Sequence, residues 1–407
     1  MGTEFLFFLA AGLLPVAAFT GWLLGRRSKA RDGDCPRDAL SADYFKGLNY
    51  LLNEQPDKAI EVFVRLLEVD SETVDTHLAL GNLFRRRGEV DRAIRIHQNL
   101  IARPTLERSQ RHQALYELAC DYLKAGLLDR AESLFRELAD DPEFGQRALG
   151  ELLEIYQQEK EWDRAIATAQ RLAAGKGRTL GPLIAQFQCE QAEAEWGRGE
   201  QSTAMRSIRR ALAADNRCVR ATLLEGEIAL ATGAFRTAIR VLKRVEEQDP
   251  DYLPEVVEPL RSAYRQAGRP LEMLNYLREV LRRHEDISLT LALVELLRQQ
   301  QGEREAAAAL AGALRAHPSV RGMAHLIDLR LASQQPPSRD DLLVLKGLID
   351  ELLEARPRYR CQSCGFGGRQ LHWQCPRCKQ WSTTKPIRGV ETEMRAAAPP
   401  PPALPTK

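Results

Sequence analysis

The chain repeats itself at a period too short for any unit to enclose a core of its own. Anchor residues, alanine in all but one case, recur at Ala59, Ala93, Ala131, Ala165, Ala204, Ala238, Met273 and Ala307, spaced 34, 38, 34, 39, 34, 35 and 34 positions apart. Gly88, Gly126, Gly199, Gly233 and Gly302 each stand five positions before an anchor. Gly47, Gly81 and Gly226 stand twelve before, and Tyr50, Phe84, Tyr122, Tyr156 and Tyr264 nine before. Small residues at fixed places let two helices of one unit approach closely, and the aromatics fill the gap to the next unit. Each unit then buries its apolar face only against its neighbours.

A period near 34 residues with this helix-turn-helix pattern is that of tetratricopeptide repeats. About eight units within residues 41–333 would stack into one superhelix, whose concave surface suits extended peptides or helices of other proteins. The longer intervals place insertions at 104–111 and 175–182, as loops between units. Charged residues make up 28% of the chain and are dispersed among Leu and Ala, as stacked amphipathic helices require. A net charge of +2 excludes a chain that is basic throughout and an acidic disordered one. Arg85, Arg86 and Arg87 read as a solvated inter-helix turn. The histidines form no His-x-x-x-His pair and read as surface or packing residues, and Cys120, Cys189 and Cys218 as small buried fillers. There is no phosphate-cradling loop, dinucleotide fingerprint, nucleophile elbow or His-Glu-x-x-His, so no catalytic residue is assigned and the chain reads as a non-enzyme.

Phe5 to Leu24 are twenty consecutive uncharged residues, enough for a helix to span a bilayer of roughly 30 Å. Only Glu4 precedes the run, whereas Arg26, Arg27, Lys29 and Arg31 follow it, the reverse of a cleaved signal. Residues 1–25 are therefore expected to be a single transmembrane anchor and 26–40 a juxtamembrane linker, with the rest of the chain on the cytoplasmic side.

Beyond the repeats, Ser338 and Asp341 open a capping helix over 338–356, with an apolar stripe of Leu342, Leu345, Leu348, Ile349, Leu352 and Leu353. A module at 357–389 follows, carrying Cys361, Cys364, Cys375 and Cys378. Two thiolates three positions apart reach one ion from a tight turn, and two such turns complete a tetrahedral sulfur site. Four soft ligands leave no open position for hydrolysis, so the site holds one zinc or iron ion in a structural or at most redox role. Gly365 suits the left-handed position after the first knuckle, where the second has Lys379. His372 reads as a packing residue, and Trp373, Trp381 and Phe366 as the module's hydrophobic packing. Eight basic residues and no acidic one lie between Arg356 and Arg388. Such a charge meets nucleic acid, anionic headgroups or an acidic protein face. The Ala-Pro tail at 390–407 reads as disordered.

In order, the anchor, the repeats and the four-cysteine module resemble the lipopolysaccharide assembly protein B family of Gram-negative bacteria. The resemblance rests on Leu-Pro-Val-Ala-Ala at 14–18, Gly-Arg-Arg at 25–27, the run from Gly81 to Gln98, Tyr-Arg-Cys-Gln-Ser-Cys-Gly-Phe at 359–366, Cys-Pro-Arg-Cys at 375–378 and Trp381 to Gly389. It covers the chain to about Val390. It implies an all-α tetratricopeptide-repeat superhelix with an N-terminal transmembrane helix and a small rubredoxin-like, zinc-ribbon module packed on the repeats, with the four cysteines at the metal positions. The ten-residue loop between the cysteine pairs is shorter than in true rubredoxins, a departure that bears on electron transfer. The resemblance further implies an inner-membrane adaptor that restrains lipopolysaccharide synthesis. Its implied partners are the membrane-bound ATP-dependent protease FtsH, the lipid A pathway deacetylase and other lipopolysaccharide synthesis or transport proteins. Pairing of solenoid ends or membrane helices would give a homodimer. A membrane-tethered nucleic-acid-binding or redox-sensing ribbon is the alternative.

Overall fold

The computed structural model describes residues 45–387 except 51, 54, 70–73, 177–179, 333–338 and 355. The expected anchor at 1–25, the linker at 26–40, Ser338 and the tail at 390–407 lie outside the described residues. Among the described residues no helix is long and apolar enough to cross a membrane.

The chain divides into two compact units between Glu159 and Lys160. The first holds α1 (Pro56–Val69), α2 (Val74–Arg86), α3 (Val90–Ile101), α4 (Arg108–Lys124), α5 (Leu128–Leu138) and α6 (Gly145–Glu159). The second holds α7 (Trp162–Lys176), α8 (Gly181–Gly197), α9 (Gln201–Ala214), α10 (Val219–Ala231), α11 (Phe235–Leu242), α12 (Val245–Gln248), a 3-10 turn (Pro250–Tyr252), α13 (Leu253–Gln266), α14 (Pro270–Leu281), α15 (Ile287–Gln301), α16 (Glu303–Ala316), α17 (Val320–Ala332) and α18 (Arg339–Glu354). Within each unit, each helix packs on the next one in the chain, as the period predicts for tetratricopeptide-like repeats.

The five-before position is the turn inside each pair. Gly88, Gly126, Gly199 and Gly233 stand there with φ between +73 and +83, as does Gly268 with φ +70 before Met273. At Gly88 the backbone closes as a left-handed helix cap, with the Glu89 N–H donating to Phe84 O at 2.9 Å. Lys160, with φ +58, takes the same place before Ala165, where the glycine pattern lapses. The twelve-before glycines are contact points: a methyl on Gly81 would overlap the His97 ring, and one on Gly226 the Leu242 side chain. The anchors Ala59, Ala93, Ala131, Ala165, Ala204 and Ala238 are all 0% exposed, and the nine-before Phe84, Tyr122, Tyr156 and Tyr264 are buried.

Three details differ from the sequence reading. The first insertion is shorter, because α4 begins at Arg108 after Gln110 Oε1 accepts from the Glu107 N–H at 3.2 Å. Arg85 is not a solvated turn residue. Its guanidinium donates to Glu117 Oε2 at 2.6 Å and to Asp121 Oδ1 at 2.8 Å, and His97 Nδ1 lies 2.5 Å from Asp121 Oδ2. In α18 the apolar stripe is narrower than expected. Leu342, Ile349 and Leu353 pack with Ala324 and Ile327 of α17, whereas Leu345 is 48% exposed, because the helix meets one neighbour along a single seam.

After α18 the chain forms a three-stranded antiparallel sheet of β1 (Tyr359–Cys361), β2 (Gly367–Gly368) and β3 (Thr384–Pro386), in the order β2-β1-β3. Tyr359 pairs with Gly368 on one side and Pro386 on the other, and Cys361 pairs with Thr384. Strands this short enclose no hydrophobic core, so something else must hold the module.

Candidate metal centre and its seat on the helices

Both cysteine pairs sit on turns of the same construction. In the first, the Gly365 N–H donates to Cys361 O at 3.0 Å and the Cys361 N–H to Phe366 O at 2.8 Å. In the second, the Lys379 N–H donates to Cys375 O at 2.9 Å and the Cys375 N–H to Gln380 O at 2.9 Å. The fifth residue of each turn is left-handed, with φ +74 at Gly365 and +57 at Lys379. The lysine therefore preserves the knuckle and carries the strain of a Cβ in that region. Lys379→Gly is expected to leave metal content unchanged and to stabilise the module by up to about 1 kcal/mol. Thermal unfolding of the metal-loaded protein checks this.

The turns bring the four sulfurs within 4.8 Å of one another. Cys361 Sγ lies 3.7 Å from Cys378 Sγ, and Cys364 Sγ 3.7 Å from Cys375 Sγ. Those separations are too long for disulfides, whose sulfurs lie about 2.05 Å apart. They match a tetrahedron: four sulfurs ~2.3 Å from a central ion are about 3.8 Å from each other. Cys361 and Cys375 are buried. At Cys361 burial opposes ionisation, but the Thr383 hydroxyl at 3.2 Å and the backbone N–H groups of Cys364 and Ser363 outweigh it and bring the thiol down to about 6. Burial and the neighbouring sulfurs push Cys364 up to about 12. One thiolate thus resists the next unless a cation is shared among them, and a divalent ion removes that conflict. The donor set fits zinc or iron, which Cys361, Cys364, Cys375 and Cys378 would hold, and such an ion would cross-link the two knuckles. His372 stands outside this cluster, edge-on to Phe366 with ring centroids 6.4 Å apart.

The tryptophans face the helices rather than an internal core. Trp381 meets Trp162 of α7 and Phe187 of α8 edge-on, with centroids 6.5 and 5.9 Å away, while Trp373 stacks on Tyr252 at 5.4 Å. Between the tryptophans lies Arg220 of α10, its guanidinium 6.0 Å from the Trp373 ring and 5.9 Å from that of Trp381. Arg220 is 3% exposed and pairs with Glu190 and Glu193 of α8 at 2.8 Å each. Burial disfavours its charge, but the two carboxylates outweigh that and hold it above the usual arginine range. Gln186 Nε2 donates to Ser382 Oγ at 3.0 Å.

The irregular segment after α11 supplies the rest of the seat. Tyr252 donates its hydroxyl to Thr384 O at 3.0 Å, and Lys385 Nζ donates to Asp249 at 2.7 Å and Asp251 at 2.8 Å. Burial works against the Lys385 ammonium, and the two aspartates more than compensate, holding it above the usual lysine range. Tyr359 donates to Glu255 Oε1 at 2.9 Å, and burial raises that carboxyl despite the bond. Lys385, one of the eight basic residues, is thus engaged with the repeats. None of Arg220, Glu190, Glu193, Asp249, Asp251 or Tyr252 stands out by motif. The available signals are an arginine within the apolar run Val219–Leu224 and carboxylates flanking Pro250.

Residues 359–386 match the model of a rubredoxin metal binding domain, and 76–111, 116–178 and 189–252 match models of the tetratricopeptide repeat. Lipopolysaccharide assembly protein B of Escherichia coli (strain K12) is 39% identical over 381 residues, covering 93% of this chain and 98% of that protein. The protein of the same name from Haemophilus influenzae (strain ATCC 51907 / DSM 11121 / KW20 / Rd) is 37% identical over 396 residues, with the same coverage. Among solved structures, a crystal structure of MamA protein aligns with a TM-score of 0.34 at 19% identity, covering 44% of this chain and 92% of that one.

Proposed function

Because the chain belongs to the lipopolysaccharide assembly protein B family, we propose that it is a non-enzymatic adaptor regulating lipopolysaccharide assembly at the inner membrane. In this reading the repeats and the metal-organised ribbon together form a docking surface. That surface brings the lipid A pathway deacetylase to the membrane-bound protease FtsH, which degrades it. The observation that carries the reading is the seat of the ribbon. A module that cannot bury a core of its own is held on the repeats by Arg220, Tyr252 and Lys385, so a partner contacting both meets one fixed face.

The uncharged run from Phe5 to Leu24 supports an anchor with the repeats on the cytoplasmic side. Confinement to the membrane raises the effective concentration of the partners for each other without any new contact. Deleting residues 1–25 is therefore expected to yield folded, soluble protein with much weaker regulation. Pulse-chase of the deacetylase in cells carrying only the truncated chain checks this, and turnover at the intact rate would contradict it.

The docking proposal is tested by affinity capture from membranes with the intact chain and with the Cys361→Ser, Cys364→Ser double variant. Recovery of the protease and the deacetylase with the intact chain, lost with the variant, is the expected result. Recovery of nucleic acid and ribosomal proteins instead would favour the basic ribbon as a nucleic-acid module.

A further inference from the structure

The solvent face of α9 carries cations and no anion. Ala204, Ser207, Ile208 and Ala211 are buried against neighbouring helices, so Arg206, Arg209 and Arg210, at i, i+3 and i+4, emerge together on the opposite side. All three are exposed. In α11 the buried residues are Ala238, Val241 and Leu242, and Arg236 and Arg240 stand exposed on the far side. Neither helix contains an Asp or Glu. The repeat continues the stripe from helix to helix. Arg206 and Arg240 each follow a buried anchor by two positions, and Arg209 and the exposed Arg278 of α14 follow theirs by five.

These charges are not neutralised from within. Arg209, Arg210, Arg236, Arg240 and Arg278 form no ion pair among the described residues, and Arg206 donates only to the Thr203 hydroxyl at 3.3 Å. Neighbouring carboxylates are taken: Glu225 pairs with Arg244, and Glu246 and Glu279 pair with Arg283 at 2.9 and 3.1 Å. Glu247, beyond the end of α11, is left exposed. The concentration is local to these helices. Two, five and six positions after the anchor, α3 has Arg95, Gln98 and Asn99, and α16 has Ala309, Gly312 and Ala313. Arg206 with Arg210, and Arg236 with Arg240, are like charges at i and i+4, which weaken a helix until an anion comes between them.

We propose that the arginine stripe of α9 and α11, continued by Arg278, is a docking surface for an anionic lipid bilayer. The choice among anionic partners follows from what accompanies the arginines. A protein interface concentrates its energy in apolar and aromatic anchors, and no large apolar side chain is exposed on α9 or α11. An unpaired nucleic acid strand stacks its bases on exposed aromatic rings, and these helices present none. Lipid headgroups move laterally beneath a cation and require neither an anchor nor a fixed match, and the guanidinium fork suits their phosphates. The proposal rests on the membrane reading above for the chain's position, and adds the face that turns toward the headgroups.

The test modifies arginines of the full chain with phenylglyoxal, read residue by residue by mass spectrometry, on nanodiscs of phosphatidylcholine and on nanodiscs containing phosphatidylglycerol. Arg95, exposed at the same repeat position as Arg206 but without a cluster around it, is the internal reference. Arg206, Arg209, Arg210 and Arg240 are expected to react roughly fivefold more slowly on the anionic discs, and the difference to vanish at high salt. Arg95 is expected to react at one rate on both. Combining Arg209→Gln, Arg210→Gln and Arg240→Gln, all at exposed sites, is expected to return Arg206 and Arg236 to the rate on neutral discs. Co-migration with neutral discs reports the anchor separately: a chain that leaves them yet is protected on anionic discs keeps the stripe and loses the anchor. Equal rates on both discs, equal slowing of Arg95, or stronger protection by a short DNA duplex or by polyglutamate than by anionic discs would overturn the proposal.

Discussion

Arg220→Ala is expected to release the ribbon from the helices while leaving its metal in place. The substitution removes the cation between Trp373 and Trp381 and leaves Glu190 and Glu193 without their partner. Breaking a buried ion pair from one side costs about 3–5 kcal/mol. Glu190 and Glu193 have side chains 28% and 41% exposed, so water takes over part of their solvation and the lower end applies. Loss of each guanidinium–ring contact, at 6.0 and 5.9 Å, adds on the order of 0.5 kcal/mol. Lys385 keeps its partly exposed bonds to Asp249 and Asp251, and Tyr252 its buried bond to Thr384, so the release is expected to be of the face around Trp381 first. The expected readout is a red shift in tryptophan emission and rapid proteolysis near residue 357, with one equivalent of metal still bound. Arg220→Lys is expected to rescue only partly, since an ammonium cannot pair with both carboxylates through a planar fork.

The second large effect is removal of the metal itself. With Cys361 and Cys364 both changed to Ser, two of four sulfur donors are lost and the knuckles have no common centre. Structural zinc contributes roughly 10–16 kcal/mol of apparent binding free energy in small modules, and that binding energy is folding energy. Strands of three, two and three residues do not replace it. The ribbon is expected to unfold as a whole and expose Trp373 and Trp381, while the helical signal in circular dichroism stays within a few per cent of the intact chain. A strong chelator applied to the unaltered protein should reproduce the change, and restoring zinc or iron should reverse it. Retention of the native tryptophan emission after complete metal removal would show that the seat alone suffices to fold the module.

These two experiments address different parts of one arrangement, and the parts were unequally visible in the sequence. The period was legible because it records backbone requirements. A left-handed turn favours glycine at 88, 126, 199 and 233, and a close helix crossing favours it at 81 and 226. Where a lysine takes such a turn, at 160 and 379, the pattern lapses although the backbone does not. The four thiols were legible because their spacing is set by the turn that delivers them. The seat was not. Gln186 and Ser382 lie 196 positions apart, and Tyr252 and Thr384 lie 132 apart, so no local pattern links them. Trp373 and Trp381 looked like core for the ribbon because a small module needs apolar residues. Their orientation toward Tyr252, Trp162 and Phe187 depends on a surface supplied by helices elsewhere in the chain. Arg85 was misread for a related reason, since Glu117 and Asp121 belong to the next helical pair.

The account rests on the claim that the ribbon works only when seated on the repeats. The direct measurement is the half-life of the lipid A pathway deacetylase in cells whose sole copy of this protein is Arg220→Ala, expressed at the intact level and carrying its full metal content. The account predicts a half-life lengthened toward that of cells lacking the protein altogether. A half-life equal to that with the intact chain, from a variant whose ribbon is shown by proteolysis to be released, would contradict it.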